Sequence, residues 1–196
     1  MPDASGVSGV VRCWESSDPL YVAYHDEEWG RPVRDERGLY ERFCLEGFQS
    51  GLSWLTILRK REGFRKAFAG FDPEQVARFG ERDIRRLLAD ASIIRHRGKI
   101  EATIANARAT LGLREAGTPL HELIWSFAPE PRSAPRTQDD WQASTPESVA
   151  LAKTLRKAGF RFVGPTTAYA AMQACGLVND HLADCWVRDA VSASAL

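Results

Sequence analysis

One carboxylate stands inside an apolar stretch of the chain, the sequence CLEGFQSGLSWLTILRKR at residues 44–61. On a helix Glu46 would lie near the apolar side, because Leu39 and Phe43 precede it by seven and three residues. A buried carboxylate is unfavourable unless a donor or a cation meets it. The alternative is an exposed glutamate on an amphipathic helix, since glutamate is rarely fully buried. The flanking glycines allow a close approach of backbone, and we interpret the stretch as the wall of a pocket.

Two cysteine–histidine pairs near opposite ends of the chain have the residue types of a metal site. His181 and Cys185 are four residues apart, so on a helical turn both face the same way. Cys13 and His25 form the second pair, with a loop between them. Such residues are usually isolated in the core or on the surface, but together the four suit tetrahedral zinc and fill every coordination position. A site of this kind would be structural and would join the two ends of the chain.

A basic turn, SIIRHRG at residues 92–98, separates two predicted helices. Backbone N–H groups in such a turn, next to Arg95, His96 and Arg97, would suit a DNA phosphate. An ordinary surface turn between antiparallel helices explains the same pattern. The charge distribution favours nucleic acid, because residues 52–110 hold 13 lysines and arginines against 7 acidic residues although the whole chain is neutral.

Composition indicates a soluble globular protein of 196 residues, with 44% hydrophobic and 27% charged residues. No apolar run approaches the ~20 residues of a membrane span. The N-terminus has no basic and apolar regions of a secretory signal, so we expect a cytoplasmic protein in which disulfides are rare. The two cysteines outside the proposed metal set lie in apolar helical contexts and are interpreted as core residues: Cys44 and Cys175.

Apolar spacing and helix-start residues predict a mostly α-helical chain with no clear strand. A Pro-rich polar loop at residues 128–145 is the place where we expect mobility. Seven helices are predicted. The first starts at Asp35, the second covers residues 52–68, the third starts at Asp72-Pro73 and the fourth runs through Ile84 to Leu88. The fifth starts at Gly98, the sixth runs from Pro146 to before Gly159, and the last ends at Gly176.

Longer motifs, taken together, resemble the 3-methyladenine DNA glycosylase I family. They occur in order from Arg12 to Cys185, nearly the whole chain: RCW, DPLYVAYHDEEWG, LEGFQSGLSW, FDPEQVA, ASIIRHRGKI, IWSF and GFRFVGPTTAYAAMQACGLVNDH. The resemblance implies an all-α fold of the helix-hairpin-helix DNA glycosylase type, with a zinc site that joins the two termini.

The resemblance also implies a domain organisation. A single glycosylase unit would span residues 11–188, with the hairpin-containing core at about 35–127. Segments 11–34 and 128–188 would form the zinc-bound part, and the expected flexible tails are 1–10 and 189–196. The family's zinc ligands correspond to Cys13, His25, His181 and Cys185, one structural ion per chain.

Site residues follow from the same resemblance. Glu46 would recognise the base, and the aromatic residues of the pocket would be Tyr24 and Trp54, with Tyr21 and Trp14 nearby. The turn that enters the DNA stack would be Gly51-Leu52. The hairpin that holds DNA would be Ile93 to Lys99, which includes Arg95, His96, Arg97, Gly98 and Lys99.

Three departures from the family pattern are visible, one of which is that the hairpin lacks the Gly-rich loop of the wider superfamily. Before the DPLY motif the chain is one residue shorter than the usual RCxW pattern, so the family's role for this tryptophan does not transfer directly to Trp14. No counterpart is evident for the catalytic aspartate that follows the hairpin helix in the wider superfamily. Glu115 lies at a suitable distance but at a polar helix end, and we expect it to face solvent.

The implied activity is removal of 3-methyladenine from alkylated double-stranded DNA, by a monomer that needs no obligate protein partner. Methylation at N3 gives adenine a positive charge and weakens the glycosidic bond, so extrusion and selective binding would suffice. A non-enzymatic, zinc-containing DNA-binding module is the alternative, but it would not need a buried Glu46 beside Tyr24 and Trp54. A zinc hydrolase or deaminase would need an open metal position or an HxE…PCxxC pattern, and neither is present.

Overall fold

The computed structural model describes residues 10–194. This part of the chain is all α-helical and contains no strand, which confirms the predicted fold class. A five-residue π-helix at Tyr24–Glu28 directly continues the first α-helix. The α-helices are α1 Pro19–Ala23, α2 Glu36–Gln49, α3 Trp54–Ala67, α4 Pro73–Val76, α5 Glu81–Ala89, α6 Arg97–Glu115, α7 Leu120–Trp125, α8 Pro146–Lys157, α9 Pro165–Ala174 and α10 Arg188–Ser194.

Side-chain caps fix the helix starts that position the site. Asp35 and Thr145 accept a hydrogen bond from a backbone N–H of the first turn of α2 and α8. The helix expected from residue 52 begins instead at Trp54, because the Ser53 hydroxyl caps it by accepting from the Thr56 N–H. Residues 51 and 52 therefore form a turn, and Gly51 has a φ of 82°, which glycine adopts without a steric penalty.

Two apolar clusters stabilise the molecule. The larger one is the common core of α2, α3, α5, α6, α8 and α9, and it contains both Cys44 and Cys175, as predicted. The smaller one, here called the terminal cluster, brings the N- and C-terminal segments together. Its buried members are Cys13, Tyr24, Trp29, Leu58, Ala174, Cys185 and Val187.

The C-terminal segment differs from the expected flexible tail. Residues 188–194 are helical, and Val191 is only 2% exposed because its side chain lies beside Gly30. The side chain of Asn179 also donates hydrogen bonds to the Arg188 carbonyl at 3.0 Å and to the Ser192 hydroxyl at 2.9 Å. Of the expected N-terminal tail, residues 1–9 lie outside the described part, and Val10 is exposed.

The loop at 128–145 is anchored over the joined termini. The Trp141 indole donates to the Asp180 carbonyl at 2.9 Å, and Gln138 donates to the Cys13 carbonyl at 2.7 Å. Arg132 donates to the buried Asp180 carboxylate at 2.6 Å. Sequence composition cannot show these contacts, because each one joins residues 39 or more positions apart. No helix in residues 10–194 is long and apolar enough to cross a membrane.

Candidate active site

Glu46 is buried in the middle of α2 and is only 5% exposed. Within the described part of the chain, no hydrogen bond reaches its carboxylate. Burial raises the pKa of Glu46 to about 8, and the positive charge of Arg42 opposes this rise. Tyr24 and Cys175 are the other titratable groups that interact with Glu46. The carboxylate is therefore a buried acceptor that the protein itself leaves unused.

Arg42 belongs to a network of partly buried charges. The Glu28 carboxylate accepts hydrogen bonds from Arg61 through both oxygens, at 2.6 and 2.8 Å. Arg42 donates to the same Glu28 at 2.7 Å and lies over the Tyr24 ring, 5.6 Å from its centroid. Its second terminal nitrogen is buried and has no partner among the described residues. Two cations thus share one carboxylate, and Arg42 also lies close enough to Glu46 to favour its ionised form.

Four aromatic side chains form a continuous series that includes Tyr24, the ring that interacts electrostatically with Glu46, and is here called the aromatic wall: Trp14, Tyr21, Tyr24 and Trp54. The ring centroids of Tyr24 and Trp54 are 5.4 Å apart, and those of Tyr21 and Tyr24 are 6.4 Å apart with nearly parallel planes. Trp14 lies 5.2 Å from Tyr21. The buried Trp54 indole nitrogen has no acceptor in the described structure. A buried donor without a partner is a feature that a bound ligand would explain.

The four predicted metal ligands converge in the terminal cluster. All four are buried, and their ligand atoms lie within 4.8 Å of one another. The Cys13 and Cys185 sulfurs are 3.3 and 3.4 Å from His181 Nδ1, and the Cys185 sulfur is 3.5 Å from His25 Nε2. The cluster could hold a metal ion, and its residues come from both ends of the chain.

The remaining nitrogen of each imidazole is also bonded. His25 Nδ1 lies 2.7 Å from the Asp26 carboxylate, and His181 Nε2 lies 3.0 Å from the Trp29 carbonyl. The same Asp26 carboxylate accepts from Arg12 at 2.8 Å. Contacts of this kind fix the ring orientation and the tautomer of a metal-binding histidine.

The hairpin, residues 93–99, joins α5 to α6. His96 caps α6, accepting from the Lys99 N–H at 3.2 Å, and Gly98 lies in the first turn of that helix. Arg95 is exposed and has no ion-pair partner among the described residues. Arg97, by contrast, pairs with Glu81 at 2.9 Å and with Glu101 at 3.3 Å.

The Lys99 side chain does not point to solvent, as a DNA-binding side chain would. Its ammonium group is turned inward and donates to the Phe48 and Ser50 carbonyls at 2.8 and 2.6 Å. Lys99 thereby connects the end of α2 to the hairpin, and because its backbone N–H bonds His96, neither of its donors is free for a phosphate. Beyond Ser50, Leu52 projects from the turn and is 39% exposed.

Comparisons with known proteins agree with this geometry. The model of the methyladenine glycosylase family matches residues 14–189. The chain belongs to the methyladenine glycosylase family. It is 53% identical to DNA-3-methyladenine glycosylase 1 of Escherichia coli K12 over 180 residues, which is 90% of this chain and 96% of the relative.

Solved structures match over a similar range. A crystal structure of 3-methyladenine DNA glycosylase I has a TM-score of 0.87 and 52% identity, over 90% of this chain and 98% of its own. A second structure, which addresses 3-methyladenine recognition by the Staphylococcus aureus enzyme, has a TM-score of 0.84 and 35% identity, over 88% of this chain and 93% of its own. The fold of this methyladenine glycosylase is thus that of its relatives almost throughout.

Several features of this family member were not predicted from its sequence. The network of Glu28, Arg42 and Arg61 was missed, although Arg42 stands four residues before Glu46 on one helix face, which is a readable signal. No sequence pattern of comparable strength indicated that Asp26 and the Trp29 carbonyl would bond the two imidazoles. Glu115 is exposed at the end of α6, as expected.

Half of the surplus of six positive charges at residues 52–110 is paired with acids from other segments in the folded glycosylase. Acidic residues from other segments meet three of these arginines: Arg59 pairs with Asp18, Arg61 with Glu28 and Arg65 with Glu41. The charge asymmetry along the sequence is therefore a weaker indication of a DNA-facing surface than it first appears, and the hairpin with its unpaired Arg95 carries more of the argument.

Proposed function

We propose that this protein is a DNA glycosylase that flips 3-methyladenine out of alkylated double-stranded DNA and hydrolyses its N-glycosidic bond. The observation that carries the proposal is the buried Glu46 carboxylate, without a hydrogen-bond partner among the described residues, which interacts with Tyr24, whose ring contacts Trp54. A module that only binds DNA would gain nothing from burying an unused carboxylate, which is unfavourable without a ligand. Relatives named DNA-3-methyladenine glycosylase support the same activity.

The aromatic wall would bind the methylated base through its charge. A cation over an aromatic ring is stabilised by ~0.5–2 kcal/mol, depending on how far water is excluded. Tyr24 and Trp54 would supply these faces, with Tyr21 and Trp14 extending the wall toward the metal cluster. Neutral adenine lacks the charge and would bind less tightly, so the wall would contribute to selectivity for the alkylated base.

Glu46 would act on the edge of the base. As a carboxylate it accepts hydrogen bonds from the base and balances its positive charge. When the bond between the base and C1′ of the sugar breaks, the electron pair leaves with the base and neutralises it. Water then bonds to C1′ and gives up a proton. Because the leaving group is already cationic, the reaction needs little general-acid help, in keeping with the absence of an aspartate counterpart after the hairpin helix.

We further propose that the metal is zinc, held by Cys13, His25, His181 and Cys185. Tetrahedral zinc with Zn–S of ~2.3 Å and Zn–N of ~2.0–2.1 Å puts sulfur and nitrogen ligands about 3.5 Å apart. The three sulfur–nitrogen distances of 3.3 to 3.5 Å fit this requirement. Burial raises the pKa of the Cys13 thiol to about 12, so a bound cation would be needed to hold it as a thiolate. With all four positions filled, the ion would be structural.

The DNA would be held by the hairpin and entered by the neighbouring turn. Backbone N–H groups of residues 95, 97 and 98, assisted by the side chains of Arg95 and His96 and, after release from its ion pairs, Arg97, would contact phosphate. Gly51 allows the turn, and Leu52 would fill the gap left by the flipped base, as apolar wedges do. We propose one glycosylase unit at residues 11–188 that acts as a cytoplasmic monomer.

One experiment tests this function. Purified protein is incubated with alkylated duplex DNA, and free 3-methyladenine is quantified. We expect release of the base by the parent protein, with Glu46→Gln as the matched control that keeps the shape and removes the charge. Tight binding of alkylated DNA by the parent without any release would favour the DNA-binding module instead.

A further inference from the structure

Phe162 has a backbone conformation that non-glycine residues rarely adopt. Its φ is 55°, in the left-handed region, which is sterically unfavourable for a residue with a Cβ. Two other non-glycine residues in the described part of the chain share it, Ala69 and Phe71. Phe71 is fully buried, so core packing offsets its strain, whereas the Phe162 side chain is 41% exposed. The fold thus maintains a strained backbone at a residue whose ring is largely outside the core.

The surrounding structure fixes this conformation firmly. The buried Asn106 on α6 bonds both backbone groups of the preceding residue: its amide donates to the Arg161 carbonyl at 3.3 Å, and its oxygen accepts from the Arg161 N–H at 2.7 Å. On the other side, the Phe162 Cβ and carbonyl lie 3.4 Å from where a Cβ would stand on Gly47. Strain that is held in this way is concentrated at functional sites.

The ring lies against the hairpin. Its centroid is 6.2 Å from that of His96 in an edge-to-face arrangement, and its edge lies 3.7 Å from where a Cβ would stand on Gly98. Lys99 ties the other side of the hairpin to Ser50, two residues before the exposed Leu52. Two exposed apolar side chains, Leu52 and Phe162, are therefore both linked to the hairpin that would hold a phosphate.

The charge next to Phe162 fits a polyanion. Arg161 and Arg95 are both exposed, and neither guanidinium group has a carboxylate partner among residues 10–194. Each directly adjoins a member of the ring contact between Phe162 and His96. An aromatic face between two free cations is the combination that binds nucleic acid through stacking and phosphate contacts together.

We propose that Phe162 is a second apolar contact with DNA, packing against a base or deoxyribose of the strand held by the hairpin. The inference rests on the proposed function, because it takes DNA as the partner. Leu52 would occupy the gap in the stack, and Phe162 would fix the strand beside it. A ring held rigid before binding loses little conformational freedom on contact, which favours affinity.

Glycine substitution separates this role from a structural one. Phe162→Gly removes the ring and also relieves the left-handed strain, so the melting temperature should stay within a few degrees of the parent value. Binding to alkylated duplex DNA should weaken about 5- to 100-fold, the range measured for loss of one base–aromatic contact. Binding of free 3-methyladenine should not change. Phe162→Trp should restore most of the duplex affinity, since it keeps an aromatic face.

Ala69→Gly is the matched control, because it relieves the same kind of strain without removing an aromatic ring. It should bind duplex DNA as the parent does. Duplex binding by Phe162→Gly at parental affinity would overturn the inference. A loss of free-base binding that parallels the loss of duplex binding would also overturn it, and so would a large drop in melting temperature in both Phe162→Gly and Phe162→Trp. In either case the ring would only support Gly47 and the pocket. A parent that binds duplex DNA but releases no base would refute the proposed function alone, and the duplex-binding comparison would still decide the role of Phe162.

Discussion

Arg42 precedes Glu46 by one helical turn on α2, and its charge opposes the effect of burial on that carboxylate. Glu28 is already bonded through both oxygens to Arg61, so Arg42 is a surplus cation in this network. Glu46 would balance it when ionised, but burial outweighs the attraction and keeps the pKa of Glu46 raised. The charge of Glu46, the proposed base-binding residue, therefore depends on Arg42, which lies over the Tyr24 ring of the aromatic wall.

The pH dependence of excision should reflect this pair. Glu46 has a pKa of about 8, above the ordinary value for glutamate, so its ionised form becomes dominant only above that pH. If the carboxylate is the competent form, kcat/KM should rise with pH toward a plateau above about 8. Arg42→Met removes the cation that favours ionisation, so the pKa of Glu46 rises further. The rising part of the pH profile, here called the rising limb, then moves to higher pH. The measurement is kcat/KM between about pH 6 and pH 9.

Two variants act as controls for this shift. Arg42→Lys keeps a cation and should leave the limb near its parental position. Arg42→Met in a Glu46→Gln background should leave the profile where Glu46→Gln alone puts it, because no carboxylate is left to titrate. Tyr24 and Cys175 also face Glu46 and are unchanged in all these proteins. A limb that does not move in Arg42→Met would show that Arg42 does not tune the carboxylate.

The metal cluster should be required for stability. Cys185→Ala should abolish stoichiometric zinc and lower the melting temperature by on the order of 5–10 °C, because the remaining ligands no longer join the terminal segments. Zinc content is measured by elemental analysis and stability by thermal unfolding. Cys44→Ala is the matched control, since Cys44 is also a buried thiol but lies in the main core. It should lose some stability and keep its zinc; parent protein without bound zinc would contradict the proposal.

Residue types and local spacing were enough to predict much of this molecule. The apolar spacing around Glu46 indicated burial. The four-residue interval from His181 to Cys185 indicated a shared face on a helical turn; the two ligand atoms are 3.4 Å apart, but residues 181–185 form a non-helical turn. The Arg42–Glu28 and Arg61–Glu28 pairs could not be found in that way, because they join positions 14 and 33 residues apart. The helical 188–194 segment depends likewise on packing of Val191 beside Gly30, which no local pattern encodes.

The hairpin arginines should differ in their effect on DNA binding. Arg95→Ala should weaken duplex binding to all sequences and reduce the slope of log K against log salt by about one, since one phosphate contact is lost. Arg97→Ala should have a smaller effect, because Arg97 gives up its pairs with Glu81 and Glu101 before it can contact DNA. The measurement is duplex affinity across a salt series. An unchanged slope in the double variant would locate the DNA elsewhere on the surface.

Glu46→Gln should separate catalysis from DNA binding. The substitution keeps the shape of the side chain but removes its charge and one acceptor, so the cationic base is less well matched. A charge-assisted hydrogen bond contributes ~1.5–3 kcal/mol, and excision should therefore fall roughly 10- to 100-fold. Free 3-methyladenine should also bind more weakly than to the parent, as measured by calorimetry.

Undamaged duplex DNA should bind Glu46→Gln as tightly as the parent, because that contact depends on the hairpin and on Leu52. The variant should also fold at least as well: a neutral amide is less costly to bury than a carboxylate whose pKa is already raised to about 8. Parental excision rates in Glu46→Gln would show that the carboxylate does not recognise the base. Loss of duplex binding together with activity would instead show that Glu46 supports the fold of α2, and the base pocket would have to be sought away from the aromatic wall.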